Sequence, residues 1–274
     1  MTLLARDPHR FINELEKSTI QSLIMRLESR ARDKAFSNLI LKYAAQLTLP
    51  ESALALEIGC GTGATTRFLA QRDNFSGKAY AVDQCPEFID VARRFAQSEN
   101  ISDRIAFSVG DAHQLEFPDA MFDVVIAHTV ISHVTQPETV IREMARVAKP
   151  GATLVIFDGD YSSLTFAYPD QELGIAMNKA LAQATFNNTI IMQEIPRLLP
   201  DFNLKICKAW GDAIIEIGQG SYFKSFIEAY APFVKHAGLV RASLVDDWIS
   251  NQLDYIQKGH FFASCNYYTY LIKC

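Results

Sequence analysis

The run Ala53-Leu-Ala-Leu-Glu57-Ile-Gly59-Cys60-Gly61-Thr-Gly63, followed by Ala79-Tyr-Ala-Val-Asp83, decides the fold of this chain. An apolar segment enters three alternating glycines, a helical stretch follows, and a second apolar segment ends on an acid. That is strand, turn, helix, strand. Glycine is needed where the backbone turns left-handed, or where a ligand must lie against it with no Cβ between. The amides that open the helix after such a turn point outward at a polar ligand. An acid closing the second strand stands where a carboxylate accepts two neighbouring hydroxyls. Three alternate glycines with an acid on either flank exceed what ordinary turn chemistry requires.

Outward from this unit, helix and strand alternate. Residues 11–48 read as helical, with Phe36, Leu39, Ile40, Tyr43 and Leu47 on one apolar stripe, and Pro50 closes the region. Residues 64–71 read as the helix after the glycines and 78–83 as the second strand. Pro86 opens a helix with Phe88, Val91, Ala92, Phe95 and Ala96 at helical spacing. Residues 105–109 form a third strand. Residues 122–127 form a fourth, apolar throughout as befits a strand covered on both faces. Thr135 and Glu138 suit a capping box for a helix over 136–147. Lys149-Pro150-Gly151 ends it before a fifth strand at 152–158. This alternation predicts a parallel sheet with right-handed crossovers.

After Asp158 the rhythm changes. Helices over 170–200 are broken at Pro196 and Pro200, 204–217 reads as a long strand or a strand pair, 221–257 as helical and 261–273 as a final strand. Aromatic residues crowd this part. Phe261, Phe262, Tyr267, Tyr268 and Tyr270 read as core of the last strands. Tyr161, Phe166, Tyr168, Phe186, Tyr222 and Phe223 fit equally a core or a cap over the carboxyl ends of the strands, where ligands bind in open α/β sheets.

The bulk composition narrows the class. A chain of 274 residues, 49% hydrophobic and 21% charged, is that of a soluble globular protein, as one large domain or one domain with an insertion. A net charge of −5 without a Lys/Arg cluster argues against a nucleic-acid partner. No apolar run is long enough to span a membrane. The start, Met1-Thr-Leu-Leu-Ala-Arg-Asp-Pro, lacks the apolar region of a signal peptide. Cys60, Cys85, Cys207, Cys265 and Cys274 are scattered, with no C-x-x-C pair. That argues for a reducing, cytoplasmic setting and against a disulfide framework or zinc site.

Two cofactors compete for the glycine turn. A nicotinamide dinucleotide site asks for G-x-G-x-x-G/A, which Gly59, Gly61 and Ala64 meet loosely. That reading leaves Glu57 and Asp111 idle. S-adenosylmethionine carries a sulfonium and an ammonium group and wants negative charge near the turn, which Glu57 supplies directly or through water. Glu57-x-Gly59-x-Gly61-x-Gly63 resembles the first motif of class I S-adenosylmethionine-dependent methyltransferases. Ser108-Val-Gly-Asp111-Ala-His-Gln-Leu-Glu-Phe-Pro118 resembles the family's acidic motif. Phe122-Asp-Val-Val-Ile-Ala-His128 resembles its strand leading to the reaction centre. Ile131-Ser-His133-Val-Thr-Gln-Pro-Glu138 is similar to a segment of the small-molecule branch, and Arg146-Val-Ala-Lys-Pro-Gly151 resembles the helix-turn-strand that follows.

The resemblance extends from about residue 50 to 160. It implies an α/β, Rossmann-like class I methyltransferase sheet, mostly parallel with an antiparallel final strand, plus a helical cap. Residues 1–50 would be a helical lid, 51–160 the S-adenosylmethionine-binding core, and 161–274 cap insertions and the final strands of the same sheet. It implies cofactor contacts from Glu57, Gly59, Cys60, Gly61 and Gly63 at the turn. Asp83 and Gln84 would meet the ribose, Asp111 and Ala112 the adenine, and His128 the reaction centre. Arg26 and Arg30 are placed to fold over the site and meet the cofactor's carboxylate, or else form a solvated helix face.

Methyl transfer from a sulfonium is an in-line displacement, so alignment in a dry site dominates. A base is needed only for an acceptor that carries a proton. His128 and His133, after the fourth strand, are the catalytic candidates. His133 also fits a structural role at a helix start, and His128 fits cofactor or substrate contact better than proton transfer. Cys60 reads as packing, and His9, His113, His236 and His260 as surface. Asp158 and Asp160 lack a third partner, so no metal is expected. No Asn-Pro-Pro-Tyr or Pro-Cys pair follows the fourth strand, which argues against adenine-amino and cytosine-C5 methylation. The expected function is methyl transfer to O, N or C of a small, largely apolar acceptor, by a monomer or homodimer without nucleic-acid or membrane partners. The alternatives are a protein of this fold that binds S-adenosylmethionine without methyl transfer, as a rearrangement catalyst or binding protein, and then a nucleic-acid or protein methyltransferase.

Overall fold

The computed structural model describes residues 7–73 and 75–274. The alternating apolar runs become β1 (Leu54–Ile58), β2 (Lys78–Asp83), β3 (Ile105–Val109), β4 (Phe122–His128) and β5 (Ala148–Phe166). All five are parallel: β1 pairs with β2 and β4, β2 with β3, and β4 with β5. Leu56, Ile58, Val124 and Val125 are fully buried, as strands covered on both faces demand. Between them run α3 (Ala64–Ala70), α4 (Pro86–Ser98) and α5 (Pro137–Val147). The last two strands, β6 (Lys205–Gly218) and β7 (Phe261–Lys273), complete a seven-stranded sheet of order β3-β2-β1-β4-β5-β7-β6, with β7 antiparallel to both neighbours. This is the mostly parallel α/β sheet with an antiparallel final strand that the sequence predicts.

Register places the site. Ile58 is level with Val82 on one side and with Ala127 on the other. The residues that follow each of these, Gly59, Asp83 and His128, therefore emerge together at one rim of the sheet.

Before the sheet come α1 (Lys17–Arg32) and α2 (Lys34–Ala44). Asp33 starts α2 by accepting hydrogen bonds from the amides of Ala35 and Phe36 at 3.0 and 3.2 Å. The stripe Phe36, Leu39, Ile40 and Tyr43 is buried as expected. After β5 come α6 (Gln171–Thr185), α7 (Ile191–Leu198), α8 (Tyr222–Ala237) and α9 (Ala242–Lys258).

Three local expectations are corrected. The fifth strand does not stop at 158. Pairing with β7 carries it on, from Asp160 opposite Asn266 across an irregularity to Thr165 opposite Ser264. The capping box at Thr135 and Glu138 does not form: α5 starts at Pro137, Gln136 precedes it with no side-chain cap, and the Thr135 hydroxyl approaches His113 at 3.5 Å instead. Of the aromatic residues after Asp158, Phe262, expected in the core, is exposed, and Tyr168, left open between core and cap, is half-buried. Tyr161, Phe166, Phe186, Tyr222 and Phe223 are all buried, Tyr161 stacks on Phe186, and Phe166 meets Trp248 edge to face. Among the described residues, all five cysteines are free and no helix is long and apolar enough to cross a membrane.

Candidate active site

A cleft of about 1130 Å³ up to its mouth lies over the carboxyl ends of β1, β2 and β4. Its floor is the glycine turn. Gly59, Gly61 and Gly63 have φ of 58°, 53° and 74°, the left-handed region that side chains disfavour. A Cβ on Gly59 would sit 2.6 Å from Val130 Cγ2, and one on Gly61 would sit 2.9 Å from Leu27 Cδ1. Gly59, Cys60 and Gly61 line the cleft. Gly63 instead lies behind it as the residue before α3, against Phe107. Cys60 is buried and its thiol is pushed well up by burial and by Asp83 and Glu57, so it is no nucleophile.

Two buried acids flank the turn. Glu57 accepts a hydrogen bond from the Thr66 hydroxyl, and burial, with a contribution from the charge on Asp83, pushes its carboxyl up to about 7. Asp83 accepts from the Gly61 amide at 2.8 Å and the Cys85 amide at 2.9 Å, so it shapes the turn as well as facing the cleft. Burial raises its pKa too, against those two hydrogen bonds. Asp111 and Ala112 line the far end, where Asp111 is exposed and bound by the ring and backbone of His113 at 2.7 and 2.9 Å. Burial works against this carboxylate's charge, but the contacts with His113 hold its pKa low. His113, expected at the surface, is half-buried and lines the cleft.

The two candidate histidines have opposite surroundings. His128 ends β4, stacks on Phe157 with ring centroids 4.5 Å apart, and shares a hydrogen bond between Nδ1 and the Tyr43 hydroxyl at 3.1 Å. Burial, then Arg30, lowers its pKa well below the ordinary value, so the ring is neutral. Its Nε2 is buried with no hydrogen-bond partner among the described residues. His133 Nδ1 meets both carboxylate oxygens of Asp7, at 2.9 and 2.8 Å. Burial opposes its charge, but Asp7, with help from Asp158, raises its pKa.

The roof comes from residues 7–44. His9 lies half-buried over His133 with ring centroids 4.6 Å apart, and its Nε2 is 3.0 Å from the Tyr230 hydroxyl. It too is no surface residue. Gln84 fastens this segment to the floor: its amide donates to the His9 carbonyl at 2.7 Å, and Asn13 donates to the Gln84 carbonyl at 3.0 Å. A buried ion pair at 2.8 Å between Glu28 on α1 and Arg67 on α3 is a second tie. The two lid arginines part company. Arg30 lines the cleft, 4.8 Å over the Phe36 ring, with no carboxylate partner among the described residues. Arg26 is buried away from the cleft, bonded to Ser225 at 2.8 Å and to the Tyr222 carbonyl at 3.3 Å. Asp158 and Asp160 are occupied internally. Asp158 accepts from the amides of Ser132 and Gly159, and Asp160 from Ser162 and Gln193. No group of acids, histidines and cysteines suited to a metal occurs among the described residues.

The cleft thus gathers the expected site residues except Gly63 and Arg26. Sequence reading missed Asp7, His9 and the hydroxyl of Tyr43. Asp7 and His9 stand in a short segment with no motif, and Tyr43 reads as one more apolar position on a helical stripe. Nothing local in the sequence marks them.

Comparison with known proteins agrees with the geometry. Residues 56–156 match the family described as methyltransferase domain. Ajmaline N-methyltransferase of Rauvolfia serpentina is 34% identical over 110 residues, covering 40% of this chain and 37% of that protein. The chain spans 60% or less of the length of the curated relatives it matches. A putative methyltransferase from Bacillus halodurans shares the fold with a TM-score of 0.59 at 18% identity, over 85% of this chain and 96% of that one. The [4+2]-cyclase SpnF shares it with a TM-score of 0.58 at 17% identity, over 89% and 84%. In the matched region 56–156, in its sheet order and in its glycine-acid cleft, this chain is similar to small-molecule class I S-adenosylmethionine-dependent methyltransferases.

Proposed function

We propose that this cleft binds S-adenosylmethionine and that the protein transfers the methyl group to O, N or C of a small, largely apolar acceptor. The observation that carries this reading is the convergence of Glu57, the glycine turn, Asp83, Asp111 and His128 on one cleft, under a lid that presents Arg30 with no carboxylate partner among the described residues. The residues fit the cofactor. The glycines leave open the space that a Cβ would fill, Glu57 and Asp83 place negative charge beside it, and His128 holds an Nε2 with no hydrogen-bond partner among the described residues. When bound, S-adenosylmethionine supplies a methyl group on a sulfonium with a neutral thioether as leaving group.

The chain's own residues then hold and align. Arg30 pairs with the amino-acid carboxylate, Glu57 attracts the cationic end, Asp83 accepts from the ribose hydroxyls, and Asp111 and the Ala112 backbone accept from and abut the adenine. Phe36, Ile40 and Leu27 close the roof against water. Orientation of this kind supplies up to about 7–11 kcal/mol of a displacement barrier. The N-methyltransferase activity named for the Rauvolfia relative supports a small acceptor. Residues 7–44 act as the lid in this reading.

Calorimetric titration with S-adenosylmethionine, S-adenosylhomocysteine and NADH is the test. Binding of the two sulfur ligands near micromolar, with none of NADH, is expected, and NADH binding alone would sink the assignment. A panel of phenols and amines then tests transfer. Tight cofactor binding with no acceptor methylated would point to a protein that binds without transferring.

A further inference from the structure

The segment before α1 closes the cleft with chemistry that the family resemblance does not reach. Asp7 is 2% exposed. Besides His133 Nδ1, its carboxylate accepts from the amides of His9 at 3.0 Å and Asn187 at 3.1 Å, so its orientation is fixed from three sides. To meet both oxygens, His133 Nδ1 must carry the hydrogen. In the neutral ring Nε2 is then the bare nitrogen, and it has no hydrogen-bond partner among the described residues on a ring that lines the cleft.

We infer that Asp7 is a positioning residue that sets His133 as the general base, and that the acceptor is therefore protic, with an O–H or N–H at its reacting atom. The inference rests on the methyl-transfer reading above. In the step, the acceptor's proton passes to His133 Nε2, and the electron pair left on its oxygen or nitrogen bonds to the methyl carbon. The carbon–sulfur bond breaks with its pair kept on sulfur, and the imidazolium later returns the proton to water. Burial and Arg30 oppose the positive charge gained by His133, while Asp7 and, more distantly, Asp158 favour it. His9, held against the Tyr230 hydroxyl, is kept neutral by burial and by His133 itself, so the ring packed against the base does not compete for the proton.

The experiment is nitrogen NMR of histidine-labelled protein with S-adenosylhomocysteine, with the His133 signal assigned through His133→Gln. In the unsubstituted protein His133 is expected to titrate above 6.5 and to carry its neutral-ring hydrogen on Nδ1. Asp7→Asn should move that titration down by about one pH unit or more, and Asp7→Glu should restore part of it, with cofactor affinity unchanged. A titration that ignores Asp7→Asn, or a neutral ring with hydrogen on Nε2, overturns the inference, and the latter is read in the unsubstituted protein without any change at Asp7. Once a substrate is found, Asp7→Asn should lower kcat by about a hundredfold with KM held and shift the acid limb to lower pH. Turnover restricted to a tertiary amine would overturn the protic acceptor. Failure of the unsubstituted protein to bind S-adenosylhomocysteine would overturn the methyl-transfer reading instead, while the titration in ligand-free protein still decides the Asp7–His133 pair.

Discussion

The floor and the roof of the cleft are built in different ways. The floor is backbone: left-handed glycines and two acids at the ends of neighbouring strands, all within residues 57–83. The roof is side chains brought from far away. Asp7 meets His133 across 126 positions and Tyr43 meets His128 across 85. A floor of this kind recognises the part of a ligand that never changes. A roof of this kind can be respecified by a few substitutions, as an acceptor site requires. Substitutions in the floor should therefore cost cofactor affinity, and those in the roof, Arg30 apart, should change proton chemistry or leave cofactor binding untouched.

The sharpest break is Gly59→Val. It imposes a disfavoured φ and a clash with Val130, each costing about 1–3 kcal/mol. Loss of S-adenosylhomocysteine binding in calorimetry and a lower Tm are expected, and unchanged values would mean that the turn does not require glycine. Asp83→Asn comes next. It keeps an acceptor for the Gly61 or Cys85 amide but removes the charge, and cofactor affinity should fall about 10–100-fold, since bonds to a charged group contribute about 1.5–3 kcal/mol.

The two arginines sharpen the contrast at lower cost. Arg30→Gln should weaken cofactor binding about tenfold and leave Tm in place, because Arg30 has no carboxylate partner among the described residues. Arg26→Gln should do the reverse, lowering stability by about 1–3 kcal/mol while sparing affinity, because the hydrogen bonds to Ser225 and the Tyr222 carbonyl go with the guanidinium. A shared phenotype would erase the distinction between them.

The smallest effect is a pH dependence. The folded Glu57 keeps its proton to about 7, against 4.5 for an ordinary glutamate. The stability it lends is therefore present below pH 4.5 and lost as pH rises through about 7. A cationic ligand favours the ionised form, so binding below about pH 7 should release a proton and strengthen with rising pH, then level off. Calorimetry in buffers of different ionisation enthalpy reads that proton, and Glu57→Gln should abolish it.

How much of this was legible follows from the range of each interaction. The sheet was readable because buried parallel strands are continuous apolar runs, and the cofactor floor because a glycine turn is a local conformation. The length of β5 was not, since it depends on β7 pairing from about a hundred residues away. The division between Arg26 and Arg30 was not, because one helical turn on α1 decides which faces α8 and which faces the cleft.

By itself the sequence determined that the first five strands run parallel, that a glycine turn stands at Gly59–Gly63 and that acids flank it at Glu57 and Asp83. Each of these is a matter of backbone conformation or hydrophobic period within one unit. Only the tertiary structure decided that His128 is a buried, neutral ring while His133 is tied to a carboxylate. A histidine's proton affinity is set by burial and by the charges that packing brings within reach, and here Asp7 and Arg30 arrive from a part of the chain that the motifs do not touch.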